Sequence, residues 1–202
     1  MNAACFASRR LCMLVPLLAA AMTLQGCFEA AIVGGAATAT LMATDRRQPE
    51  IVLGDERIEL TASSRIGDAV KDKAHVNVTS YNSTVLITGE APNAQLKAEV
   101  ERIAGQVAQV KSVVNELQIA GISSFASRAN DTYLTGKVKG NFVSVNKFSP
   151  NHVKVVSEAG VVYLLGLVTR EEADAATEIA RSTGGVQKVV RVFEYVAAPA
   201  KK

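Results

Sequence analysis

Few residues in this chain have the type and spacing for covalent or coordination chemistry, and the clearest is Cys27. It closes Leu24-Gln25-Gly26-Cys27, an aliphatic residue followed two positions later by a small one and then by a thiol. A cysteine in that setting is a candidate for acylation, which would turn a thiol into a membrane anchor. The other cysteines, Cys5 and Cys12, lie upstream, so a chain cut before Cys27 keeps one thiol and no disulfide. The histidines, His75 and His152, each stand just before a strand-like run. Equivalent placement in two repeated units reads as a repeated surface feature, and no metal or catalytic role is assigned to either. Thr183-Gly184-Gly185-Val186-Gln187-Lys188 looks like a phosphate loop but reads as a helix stop. G-x-S-x-G, C-x-x-C and P-loop patterns are absent, so no enzyme, cofactor or small-molecule substrate is expected.

The sequence before Cys27 reads as processing signal. Arg9 and Arg10 make a positive n-region. Leu11 to Leu24 is an apolar stretch, interrupted by Pro16 and Thr23 and shorter than the roughly 20 residues of a good membrane span. Residues 1–26 are expected to be a lipoprotein signal peptide. The alternative is a plain secretory signal cut near Ala19-Ala20-Ala21, with Cys27 a bystander. Loss of the two arginines lowers the formal charge from +3 to +1. The pI near 8.8 therefore overstates how basic the mature chain is, and nucleic acid is not an expected partner. Residues 27–60 are expected to form a lipidated N-terminus and flexible tether. Small residues fill Ala30 to Ala43, and Pro49 and Gly54 should break any helix in the polar stretch that follows.

The rest of the chain carries an internal repeat. Val110-Lys111-Ser112-Val113-Val114 matches Val186-Gln187-Lys188-Val189-Val190 at an offset of 76, and Val85-Leu86-Ile87-Thr88-Gly89 matches Val162-Tyr163-Leu164-Leu165-Gly166 at 77. Each copy reads as helix, strand, strand, helix, strand. Asn82-Ser83 and Glu158-Ala159-Gly160 mark the turns between the first two strands. The second helix of copy one, Pro92 to Ala108, should turn Leu96, Val100, Ile103 and Val107 to the sheet. Its counterpart, Thr169 to Ser182, opens with capping-box spacing at Thr169 and Glu172. The expected fold is α+β: two tandem modules, 61–120 and 131–197, each with two helices on a three-stranded mixed sheet. A linker (121–130) joins them and a tail (198–202) follows.

One helix does not read as ordinary. Over Thr132 to Lys147, Leu134, Val138, Asn141, Phe142 and Val145 share an arc that should cover the sheet. The opposite arc holds Tyr133, Gly136, Gly140, Val143 and Lys147, flanked by Lys137 and Lys139, with no carboxylate. Each glycine costs about 1 kcal/mol of helix propensity, so a pair at i, i+4 suggests close approach to something. An aromatic and an aliphatic among lysines is a composition suited to an anionic bilayer. The alternatives are packing against copy one, or no role. Copy one's shorter helix, around Ile66, Asp68, Val70 and Asp72, should be acidic where exposed.

These features resemble the BON-domain family, and in particular its outer-membrane lipoproteins with two BON modules. The resemblance is carried by Gly89-Glu90-Ala91-Pro92-Asn93-Ala94, Asn130-Asp131-Thr132-Tyr133, Gly166-Leu167-Val168-Thr169-Arg170-Glu171 and Val189-Val190-Arg191-Val192-Phe193. It implies lipidation at Cys27 and anchoring in the inner leaflet of the outer membrane, facing the periplasm. It also implies a non-catalytic role in envelope integrity, enrichment at division sites and a link to the outer-membrane assembly machinery. Anionic phospholipid would be bound by the second BON domain, through Tyr133, Gly136, Lys137, Lys139, Gly140, Val143 and Lys147. The competing expectation is a lipid-tethered scaffold whose repeats bind envelope proteins or peptidoglycan.

Overall fold

The computed structural model describes residues 45–197. Cys27, the leader and the tail 198–202 lie outside them. The first module runs α1 (Pro49–Val70), a 3-10 turn (Lys71–Lys73), β1 (His75–Tyr81), β2 (Thr84–Ala91), α2 (Ala94–Gly105), β3 (Ser112–Asn115) and β4 (Gln118–Ile119). The second runs α3 (Phe125–Val145), a 3-10 turn (Pro150–His152), β5 (Val153–Glu158), β6 (Val161–Val168), α4 (Arg170–Ser182) and β7 (Lys188–Tyr195). β1 and β2 are antiparallel, and β3 and β4 pair parallel with β2. β5, β6 and β7 repeat the arrangement in one unbroken ladder.

Both boundaries expected from composition move toward the N-terminus. Residues 49–60, given above to the tether, are helical, because Pro49 occupies the first helical turn, where its missing N–H is not needed. Gly54 weakens the helix, but Asp55 and Ile58 are buried directly after it and hold the turn. The 121–130 linker is likewise short: Ser124 caps α3 by accepting from Ser127 N at 3.2 Å, and the helix starts at Phe125.

The hairpin turns follow from their residues. Asn82 and Ser83 in one module, and Ala159 and Gly160 in the other, all have positive φ, as a two-residue turn matched to strand twist requires. Each second strand contains a glycine that allows close strand approach. A Cβ on Gly89 would lie 2.1 Å from the His75 carbonyl oxygen, and one on Gly166 would lie 2.4 Å from that of His152.

Alternation along the strands sends side chains to both sheet faces. Val85 and Ile87 join Ile58, Ile66, Val100 and Ile103 in the core of module one. Val162 and Leu164 join Val138, Phe142, Ala176 and Ile179 in that of module two. The opposite faces meet each other: Tyr81 and Leu86 pack with Tyr163 and Leu165 in a third buried cluster. The result is a helix–sheet–sheet–helix sandwich. Polar bonds frame the joint, with Asn77 Nδ2 donating to Glu158 Oε2 at 2.7 Å and Lys154 pairing with Glu59.

Candidate lipid-binding face

The site begins with a helix that is anchored on one side and bare on the other. α3 buries Leu134, Val138 and Phe142 against its sheet. It ends at Asn146, whose left-handed backbone (φ 50°) lets its N–H bond Phe142 O. Asp131, the only carboxylate on this helix, is buried: it accepts from Ala159 N at 3.0 Å and Gly160 N at 2.9 Å, tying the helix to the β5–β6 turn. Asp55 does the same in module one, accepting from Ser80 Oγ (2.6 Å), Asn82 N (2.8 Å), Ser83 N (2.8 Å) and Arg47 (2.7 Å). Asp55 and Asp131 are 76 residues apart, the offset of the repeat. That spacing was the signal for a pair of structural acids that reasoning from motifs passed over.

The outer face is open. Tyr133 is 68% exposed and Val143 64%. A Cβ on Gly136 or Gly140 would meet nothing within 4 Å, so among the described residues nothing approaches the glycine pair. Lys137 reaches across to donate to Gly184 O at 2.8 Å, while Lys139 makes no such bond among the described residues. Two expectations for the helix need correction. Lys147 lies beyond the helix, which stops at Val145, so it flanks the face rather than sharing it. Val145 is 45% exposed, not packed on the sheet. Phe148 takes the core place instead, its ring 5.0 Å from that of Phe142 in an edge-on contact. The exposed apolar surface of α3 thus includes Val145 and, at its first turn, Phe125 (80% exposed).

Module one's helix also departs from expectation. Its exposed side is acidic at Asp68, as expected, but over its full length it is mixed: Glu50 and Glu56 stand exposed with Arg57, Arg65, Leu53 and Leu60, the last 72% exposed. The two histidines occupy equivalent places with different neighbours. His75 begins β1 and lies 4.0 Å from Glu158, whereas His152 ends a 3-10 turn with Nδ1 3.2 Å from Glu172.

A clasp ahead of α1 joins the modules. Arg46 grips Glu172 through both guanidinium nitrogens (2.6 and 2.9 Å) and donates to Leu167 O at 2.8 Å. Arg47 bonds Asp45 and Asp55 and lies 3.9 Å above the Tyr81 ring. Burial opposes the charge on Glu172, but Arg46, the Thr169 N–H and His152 overcome it and hold the carboxyl down at about 2. Glu172 also closes the expected capping box with Thr169. Glu158 shows the reverse: burial pushes its carboxyl up, and nearby Glu90 adds to the push against Asn77, His75 and Thr88. No helix among the described residues is long and apolar enough to cross a membrane.

Comparison with known proteins agrees with this architecture. A model of the BON domain matches residues 54–121 and again 130–197. The outer membrane lipoprotein DolP of Haemophilus influenzae is 40% identical over 182 residues, covering 89% of this chain and 94% of that one. A 21 kDa hemolysin of Actinobacillus pleuropneumoniae is 30% identical over 154 residues, 75% of this chain and 79% of its own. The osmotically-inducible protein Y of Escherichia coli K12 is 29% identical over 117 residues, 56% of this chain and 58% of its own.

Proposed function

Since this chain belongs to the BON-domain family and is a DolP-like outer membrane lipoprotein, we propose that its second BON module reads anionic phospholipid in the membrane that anchors it. The family is non-catalytic, so the proposed work is binding in support of envelope integrity. Lipid on Cys27 is the first point of attachment and the outer face of α3 the second. The observation that carries this reading is the face itself: Tyr133 and Val143 stand exposed beside two glycines with open space above them, and the helix's one carboxylate is buried. Lys137, Lys139 and Lys147 flank it, and each lysine near an anionic surface contributes about 1 kcal/mol. A face too weak to recruit a free domain is sufficient on a protein already held at its leaflet.

The test is flotation of residues 45–202, one compact unit, with vesicles of neutral or anionic phospholipid. Selective flotation with anionic vesicles, lost on Tyr133→Asp or Val143→Asp in a folded protein, is the expected result. Absence of flotation at low salt and high vesicle concentration would sink the proposal. It would favour the second reading, a tethered scaffold for envelope proteins or peptidoglycan. The exposed Leu60 of α1 and Ile119 of β4 suit that alternative, since they offer apolar surface outside α3.

A further inference from the structure

Each module has a seam between its first helix and the connection that follows its second helix, and the two copies treat it differently. At the repeat offset of 76, Thr61, Arg65, Val107 and Ala108 of module one correspond to Lys137, Asn141, Thr183 and Gly184 of module two. In module two Lys137 donates to Gly184 O and Asn141 Nδ2 donates to Thr183 Oγ1, both at 2.8 Å, which laces the seam together. Among the described residues no such bond joins the counterparts in module one, where the seam is a cleft of about 350 Å³. Ile58 and Val107 floor it, Arg57, Thr61, Arg65 and Gln109 rim it, and no carboxylate lines it. Of the nine arginines in residues 45–197, seven have a carboxylate, a carbonyl or an aromatic ring as partner. Arg57 and Arg65 are the two without one among the described residues, and both line this cleft. Gln109 is held there against its backbone preference. Its φ is 73°, and its counterpart in module two is Gly185, at 105°. A side chain kept in a conformation that favours glycine is one the protein uses. It reaches back over α1, its Oε1 lying 3.4 Å from where a Cβ on Gly54 would stand.

We propose that this cleft of module one docks an acidic peptide segment of a partner protein, two of its carboxylates pairing with Arg57 and Arg65 and an apolar side chain between them resting on Val107. Charge complementarity selects the occupant. Two guanidinium groups without internal partners stay in water until carboxylates answer them, and each planar fork donates two parallel hydrogen bonds to one carboxylate. Eight residues apart on α1, the arginines stand about 12 Å apart along its axis. An extended peptide covers that distance with acidic residues four apart, about 13 Å. Thr61 and Gln109 lie between them and offer hydrogen bonds to peptide backbone, which a bare anion would not use. Leu53 and Leu60, both exposed, lie within about 60° of Arg57 around the helix and extend the apolar contact outside the cleft. A flat bilayer would meet the rim of such a cleft and leave its floor uncovered. The site needs neither lipid on Cys27 nor the outer face of α3, so it stands or falls apart from the reading above.

The experiment titrates residues 27–202 carrying Cys27→Ser with the peptide acetyl-Glu-Leu-Ala-Leu-Glu-amide, and with its counterpart bearing Gln in place of both Glu, and follows amide chemical shifts. Saturable shifts on α1 and on residues 107–109 with the first peptide, and affinity lower by about tenfold or more for the second, are the expected result. Arg57→Ala and Arg65→Ala should each weaken the acidic peptide about fivefold. Gln109→Gly relieves the backbone, so it should not lower the unfolding midpoint yet should weaken the peptide, a combination that a merely structural glutamine would not give. Tyr133→Asp should leave the peptide's affinity unchanged. Equal binding of the two peptides, or no saturable binding to the folded protein at low salt, would overturn the proposal. So would binding of anionic vesicles that Arg57→Ala abolishes while the peptide's affinity is unmoved, since the cleft would then be a second membrane contact.

Discussion

In module one the acid on the first helix, Asp55, holds three groups of strand and turn and an arginine; in module two its counterpart, Asp131, holds only two turn N–H groups. Around these shared acids the two helices diverge. α1 presents mixed charge with Leu53 and Leu60, while α3 presents Tyr133, Val143 and open glycines with no exposed carboxylate. Positions that repeat, such as the helix acid, the strand glycine and the hairpin turn, are explained by the backbone they hold. The positions that differ between copies are where an explanation outside the fold is needed.

The sharpest way to break that comparison is at the repeated glycines. Gly89→Ala meets the His75 carbonyl at 2.1 Å in a backbone with φ +118°. It should cost more than about 3 kcal/mol, enough to unfold module one in a urea titration. Gly166→Ala has a 2.4 Å clash and no positive φ, so its loss should be the smaller of the two. Next come the acids. Asp55→Ala removes one of the two carboxylates that hold Arg47 and orphans three other donors, and should cost about 3–4 kcal/mol, while Asp131→Ala, with two N–H groups orphaned, should cost about 2 kcal/mol. Equal losses would mean that neither Arg47 nor the Ser80 hydroxyl, the two partners that Asp131 lacks, contributes through Asp55.

The divergent positions should behave in the opposite manner. Tyr133→Asp should leave the unfolding midpoint close to the parent's yet cut affinity for anionic vesicles at least tenfold. Leu60→Asp on the other module should leave both unchanged. If Leu60→Asp abolishes vesicle binding as well, lipid contact is not the property of α3 alone.

The smallest effects are in pH dependence, where the two modules meet. Glu172 has a folded pKa of about 2, below the ordinary 4.5. Its contribution is therefore present above pH 4.5 and lost as pH falls toward 2. Glu158 has a raised pKa, so its contribution is present below pH 4.5 and lost as pH rises through the raised value. Urea titrations across pH should show Glu172→Gln flattening the acid limb and Glu158→Gln flattening the limb above it.

Much of the fold was legible in the sequence because the repeat states it twice. Asn82-Ser83 and Thr169 with Glu172 are local signals whose geometry needs no tertiary help. The start of α1 was hidden because Pro49 and Gly54 are breakers in isolation. Only the burial of Asp55 and Ile58 decides against that reading. The sheet-to-sheet joint left a trace in the unbroken apolar run Val161-Val162-Tyr163-Leu164-Leu165, which is what a strand covered on both faces looks like. For the candidate site, helical spacing found Tyr133 and Val143 but misplaced Val145, because the position where Asn146 turns the chain is not a property of period.

The clasp at Arg46 has a mechanical consequence. Residues 45–47 precede α1, the first helix of module one, yet Arg46 bonds Glu172 and the Leu167 carbonyl of module two while Arg47 bonds Asp55 of module one. A pull applied to the chain at Asp45 is therefore shared between both modules instead of peeling α1 away from its first turn, and these charge-assisted bonds carry the load in parallel.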